Sequence, residues 1–348
     1  MKRLVVLAGA LVAFAVLPRP AVAADDQLTL IGGSFPTAFY EVLVDVAQAG
    51  GFFKEEHLDV NIQYAGNPAV AIQALAGGKG DIASGNINGI LQGYARGVRM
   101  TAVFSRSPSF LDVTAVLDAS PIRTLADFKG KTLGVRTVGQ PTEVYTGQLL
   151  AGAGLKKGDY SFAPIGSGAQ AIEALTTGKV DGAAFPYPEL KTYENAAHIR
   201  FRYFFDPILK DIPDDGFIAA PATIAAKSDQ LARFFRAIVK AAILVRVNPH
   251  LAARYFVQGS GMKVTADAVT TEAHLLAISE DLLPAHDLSN PRIGEFPVRG
   301  IAVLAKYMVD QGLTPNLIPA RDLVDDRFIA FANAFDRRAF IARARAMK

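Results

Sequence analysis

The 348-residue chain has no cysteine, no tryptophan and only five histidines. Without cysteine there are no disulfides, thiolate metal sites or thiol nucleophiles, and no lipid-attachment residue near the amino end. The histidines, His57, His198, His250, His274 and His286, are scattered and form neither His-x-x-x-His nor His-Glu-x-x-His. Gly166-Ser167-Gly168 falls short of the Gly-x-Ser-x-Gly nucleophile elbow. No catalytic set, metal site or cofactor is expected from these residues. Past residue 23 no stretch reaches eighteen apolar residues, so nothing there reads as a membrane-spanning helix.

What is present begins with a leader. Lys2 and Arg3 precede an apolar run from Leu4 to Leu17, followed by Pro18, Pro20 and the small residues Ala21-Val22-Ala23. That order is a cleavable export signal over residues 1–23. The run is shorter than the ~20 residues a spanning helix needs. Loss of Lys2, Arg3 and Arg19 leaves 33 basic residues against 33 acidic ones. A neutral mature chain carries no electrostatic footprint for nucleic acid. An exported protein without a lipid anchor needs confinement, and a periplasm provides it.

The most informative feature is an internal repeat offset by one hundred residues. Ala69 to Ala83 aligns without gaps on Ala169 to Ala183, with nine of fifteen positions identical, Gly78, Lys79 and Asp81 and their partners among them. Two copies are too few for a solenoid and imply two similar lobes. Within each copy Asn67 or Ser167 is placed to cap a helix. Gly78 and Gly178 fall where a helix ends in left-handed backbone, beside Lys79 and Lys179 at the carbonyl end. Asp81 and Asp181 lead into short strands, Ile82 to Ser84 and Gly182 to Phe185. The Gly-Lys-x-Asp pattern is a helix stop before it is a ligand site.

The flanks repeat in outline. Leu28 to Ile31 and Asp59 to Tyr64 read as strands around a loop and a helix, Phe39 to Gly50; Thr132 to Arg136 and Tyr160 to Pro164 do the same around Thr142 to Gly152. Strand and helix alternate, which predicts parallel sheets with helices on both faces, so each lobe is a doubly wound α/β unit. Leu125 to Lys131 is a short helix and turn at the entry to the second lobe, and Asp206 to Gly216, rich in Asp and Pro, is the exit. The remainder is helical: Asp229 to Asn248, Leu251 to Val257, Ala266 to Leu282, Ile301 to Gln311 and Asp325 to Lys348. These helices are expected to pack back on the first lobe. The first lobe is then 24–114 with 217–348, the second 115–216, and two crossings form a hinge.

Four segments carry a family resemblance: Ala49 to Val60, Ala74 to Ala83, Leu125 to Val135 and Gly178 to Asp181. They resemble the sulfonate, nitrate and taurine type of ABC-transporter substrate-binding protein, a group that includes binders of thiamine-pyrimidine precursors. The resemblance implies a periplasmic-binding-protein type II fold, a small ligand held between lobes, and a partner permease with its ATPase at the inner membrane. Its pattern usually has Gly before Leu-Asp-Val, where this chain has His57, read as an exposed turn residue. Its sulfonate and taurine branches often wall the ligand with tryptophan; here Phe or Tyr must serve. A related family of the same fold makes the thiamine pyrimidine enzymatically, and the resemblance associates iron-binding cysteines with it, which this chain lacks. A ligand-sensing partner of a membrane receptor is a further alternative.

Ligands of open α/β sheets sit beyond the carboxyl ends of the strands. The loops there are Gly32 to Ala38, Gly85 to Asn88, Thr137 to Thr142 and Pro186 to Glu189, two from each lobe. Ser34, Thr137 and Gln140 offer ligand contacts, and Thr37 and Thr142 are placed to cap helices whose N-termini favour an anion. Asn86 and Asn88 can donate or accept. Phe35, Phe39, Phe185 and Tyr187 offer apolar walls, Tyr187 held between Pro186 and Pro188. Arg106 or Arg136 facing the cleft would pair with a sulfonate or carboxylate, whereas Glu189 suits an ammonium. The expected ligand is a small anion, captured by hinge closure of a monomer.

Overall fold

The computed structural model describes residues 25–107, 112–139, 141–205, 212–279 and 283–348. The expected leader, Gln140 and much of both crossings between lobes lie outside these residues. The chain forms two five-stranded sheets. The first, in the order β2-β1-β3-β10-β4, contains β1 (Asp26–Gly32), β2 (Leu58–Tyr64), β3 (Ile82–Gly85), β4 (Thr101–Ser107) and β10 (Asp215–Ala219). The second, β7-β6-β8-β5-β9, contains β5 (Asp112–Leu117), β6 (Thr132–Val135), β7 (Ser161–Pro164), β8 (Gly182–Pro186) and β9 (Phe201–Phe204).

The repeat sets the centre of each sheet. Leu30 pairs with Ile82 across β1 and β3, and Leu133 with Gly182 across β6 and β8, both in parallel register. The repeated aspartates have the same task in both. The Asp81 carboxylate accepts the Thr29 N–H at 2.9 Å while its own N–H donates to the Thr29 carbonyl; Asp181 treats Thr132 identically, also at 2.9 Å. Each thus fixes the start of a strand rather than meeting a ligand. Gly78 and Gly178 adopt φ of 72° and 73°, the left-handed helix ends their position demands. His57 has φ of 55°, a conformation glycine adopts without strain, and its side chain is exposed.

Three expectations require correction. The sheets are mixed, because β10 runs antiparallel to β3 and β4, and β5 antiparallel to β8 and β9. Both reversed strands follow a crossing, so a chain entering the other half arrives against the direction of the βαβ units already there. The lobe boundaries read from sequence, after 114 and after 216, consequently fall inside β5 and β10. Ser167 caps nothing; Gly168 occupies the cap position of the helix Ala169–Thr176, whereas Asn67 caps Pro68–Ala76 by accepting the Ala69 N–H at 2.8 Å. The last expected helix is two, Ile329–Ala332 and Arg337–Ala346: the Asn333 side chain bonds the carbonyls of Ile293 and Ile329, and Asp336 caps the second segment.

Each sheet is covered by apolar side chains on both faces. On one face of the first, Leu28, Leu30 and Val60 meet the 20-residue helix Ser228–Val247, whose Phe234, Phe235, Ile238 and Ala242 are buried. Phe53 stacks on Phe234 and Phe104 on Phe235, with centroids 5.0 and 5.1 Å apart. On its other face, Ile72, Leu75 and Ile90 share a cluster with Tyr145 and Leu149 of the helix Pro141–Gly152 and with Ile301, Leu304 and Tyr307 of Val298–Asp310. That cluster joins the halves. At Gly147 a Cβ would come within 2.3 Å of the Tyr307 hydroxyl, so close approach needs glycine there. Among the described residues no helix is long and apolar enough to cross a membrane.

Candidate functional site

A cavity of about 570 Å³ lies between the two sheets, lined by the loops after β1, β3, β6 and β8 and by the starts of β5 and β10. Of the expected site residues, Ser34, Phe35, Thr37, Phe39, Asn86, Thr137, Thr142 and Glu189 line it, as do Arg136 and Phe185. Arg106, Asn88 and Tyr187 do not. Asn88 is buried, with its side chain turned to the Gly89 N–H. Tyr187 opens the helix Tyr187–Ala197 and packs on Tyr203 at 5.2 Å, outside the cavity. Gln140 lies outside the described residues.

Arg106 is the largest displacement from expectation. Its side chain is 2% exposed and lies between two carboxylates, Glu41 at 3.0 Å and Asp215 at 2.6 Å. Burial works against the guanidinium charge, but Asp215 and Glu41 outweigh it and hold its pKa above the usual range. Glu41 also accepts the Ser34 N–H at 3.1 Å and the Ser84 hydroxyl at 3.2 Å, and Ser84 in turn accepts the Gly33 N–H at 2.6 Å. The backbone donors expected to greet an anion are therefore used inside the protein. Thr37 lies beside Ala38, the residue that precedes the short helical turn Phe39–Glu41, and lines the cavity without capping it.

In the second half Arg136, just past β6, pairs with Glu189 at the first turn of its helix, and Glu189 also accepts the Tyr193 hydroxyl. Asn86 does double service, accepting the Gly89 N–H at 3.0 Å as a helix cap while facing the cavity. Thr142 does not cap; its hydroxyl donates to Asp112. Asp112 also accepts the Tyr40 hydroxyl at 3.3 Å, which ties the first half to the second across the cleft.

Sequence reading missed Tyr40, Asp112, Asp214 and Asp215, all in the lining. The last three stand where the chain enters and leaves the second half, and the only signal was the Asp- and Pro-rich exit. Burial raises the Asp112 carboxyl to about 6, opposed by Thr142 and Arg136. Asp215 is raised to about 6 by burial, against the pull of Arg106. Tyr40 is pushed well above its ordinary value by burial and by Asp112, Asp214 and Asp215 together. Among the described residues the lining holds four carboxylates, Asp112, Glu189, Asp214 and Asp215, and one guanidinium, Arg136. No group of three or more among the described residues is arranged to hold a metal ion.

The model of a family described as NMT1/THI5 like matches residues 40–252. The chain belongs to the NMT1/THI5-like family. A Haemophilus influenzae member whose name assigns it to thiamine biosynthesis is 25% identical over 279 residues, covering 80% of this chain and 85% of that protein. A 4-amino-5-hydroxymethyl-2-methylpyrimidine phosphate synthase of Saccharomyces cerevisiae is 27% identical over 157 residues, 45% of each chain. The match to that synthase therefore spans less than half of its length. Among solved structures, the periplasmic aliphatic sulphonate binding protein SsuA of Escherichia coli superposes with a TM-score of 0.68 at 17% identity, over 86% of this chain and 92% of its own. At that identity the likeness is one of fold. This NMT1/THI5-like chain has the two mixed five-stranded sheets of the periplasmic-binding-protein type II fold.

Proposed function

We propose that the protein is the substrate-binding component of an ABC importer and that it captures a small solute in the cavity between its two sheets. The moving bodies in this reading follow the sheets, one around β1–β4 and β10, the other around β5–β9. The carrying observation is the cavity itself: both halves supply its walls, and Asp112, Asp214 and Asp215 line it at the starts of β5 and β10. A solute touching both walls makes contacts available only in a closed arrangement, and that difference supplies the free energy of closure. A permease with its ATPase would read the closed form at the inner membrane of a cell whose periplasm holds the protein. The similarity in fold to a sulphonate-binding protein supports transport, and the kinship with pyrimidine synthases keeps an enzyme as the second reading. A non-catalytic role agrees with a chain that has no cysteine and no His-linked triad.

Among the described residues of the lining, the amides of Gly33 and Ser34 are bonded within the protein and carboxylates outnumber arginines. The test of the transport reading is the mass spectrum of small molecules released when protein isolated from its native envelope is denatured. One solute per chain, released unchanged after incubation, is the expected result. No stoichiometric solute, or its conversion to product on standing, would contradict the reading.

A further inference from the structure

We infer that Asn86 selects the solute by donating to it, so that the solute presents a hydrogen-bond acceptor there, a carbonyl or oxyanion oxygen or a ring nitrogen. This rests on the solute-binding reading and adds the chemistry of one contact in the same cavity. Three observations carry it. First, Asn86 lines the cavity just past β3, is 7% exposed, and caps the helix Ile87–Ala95, its side-chain oxygen accepting the Gly89 N–H at 3.0 Å. The oxygen and nitrogen of a carboxamide share one carbon, so committing the oxygen to the cap turns the two N–H donors away from the helix. Among the described residues that nitrogen donates to no protein group. A buried donor is costly to leave unmet, and a solute in the cavity can meet it.

Second, capping alone does not account for the residue. At the repeat offset of one hundred, Asn86 corresponds to Pro186, which also lines the cavity and precedes the helix Tyr187–Ala197 with no side-chain cap. Asn88 moreover accepts the same Gly89 N–H at 2.9 Å, so that amide has a second acceptor. Third, the group is rigidly placed. A Cβ at Gly85 would come within 2.9 Å of Ile218 and one at Gly89 within 2.7 Å of Ile72, so the backbone on both sides of Asn86 is closely packed. The adjoining amides of Gly33 and Ser34 are bonded to Ser84 and Glu41, whereas the Asn86 nitrogen faces the cavity already oriented. A donor fixed before binding loses little freedom when the solute arrives.

The test uses Asn86→Ser and Asn86→Asp, which keep a good capping residue and remove the amide donors. The solute recovered from wild-type protein of the native envelope is identified by mass, then titrated by calorimetry into wild-type and variant chains stripped of solute by unfolding and refolding. Each variant is expected to bind it at least fivefold more weakly, with the melting temperature of the empty protein unchanged. A smaller loss in Asn86→Ser, or tighter binding by Asn86→Asp, would overturn the inference. So would a fall in melting temperature that accompanies the loss of binding in both variants, since it would return Asn86 to capping alone. A solute bound alike by all three chains removes only this inference; wild-type protein that releases no solute removes the reading beneath it as well.

Discussion

Arg106 is 2% exposed and grips Glu41 and Asp215, whereas Arg136 is 51% exposed and pairs with Glu189. The two halves grew from one repeat, yet their cleft arginines differ in burial and in partners. In the first half the network runs from Arg106 through Glu41 to the amide of Ser34 and, by way of Ser84, to that of Gly33, so the loop after β1 is wired to the sheet beneath it. In the second half the loop after β6 is held by an ion pair at the surface and by Thr142 on Asp112. The loop after β1 is therefore held from beneath by a buried network, and the loop after β6 by a partly exposed ion pair. The difference teaches that a buried arginine near a cleft can serve the jaw instead of the ligand.

The comparison breaks most visibly at Arg106. Arg106→Ala leaves Glu41 and Asp215 buried without their cation, and a loss of about 3–5 kcal/mol in urea unfolding is expected. A loss below 1 kcal/mol would mean the first jaw is not wired as described. Next comes Asp112, whose effect should have the opposite sign. Its carboxyl is raised to about 6 by burial, with Tyr40, Thr142, Arg136 and Glu189 facing it. For a raised acid, folding favours the protonated form, so stability is complete below the unfolded value near 4 and declines as pH rises through about 6. Asp112→Asn removes that penalty. Asp112→Asn should therefore gain roughly 3 kcal/mol at pH 8 and nothing at pH 4, read from Tm against pH.

Smaller effects sharpen the contact between the halves. Gly147→Ala drives a Cβ toward Tyr307 at the junction of the two halves, and an overpacking cost of about 1–2 kcal/mol is expected in chemical denaturation. Last, Arg136→Ala should cost under about 1 kcal/mol, since exposed ion pairs contribute little. Equal losses from Arg106→Ala and Arg136→Ala would erase the distinction between the jaws.

Much of the fold was legible because the repeat encodes local mechanics: a helix stop at Gly78 and Gly178, then an aspartate that fixes a strand start. His57 shows the same legibility, since a turn residue where glycine is usual implied left-handed backbone. The antiparallel strands β5 and β10 were not legible. Their direction depends on where the chain crosses between halves, and no local periodicity records that. The loops read from the sequence line the cavity, but the pairings of their side chains were not legible, because the partners lie far apart in sequence. Arg106 meets Glu41 across 65 positions and Asp215 across 109. Glu41 read as part of a helix, and nothing in its neighbours signals that it takes the Ser34 amide. Asp112 and the Asp214–Asp215 pair become neighbours only when both crossings are folded together.

The central claim is that solute capture draws the two halves together. With no native cysteine to compete, spin labels can be placed at Val70→Cys on the first half and Val138→Cys on the second, both exposed and close in sequence to the lining residues Pro68 and Thr137. Their separation is then measured by pulsed electron–electron double resonance in protein holding its co-purified solute and in protein stripped of it by unfolding and refolding. A shorter and narrower distance distribution with the solute bound is the predicted result; an unchanged distribution in protein shown by mass spectrometry to hold it would contradict the claim.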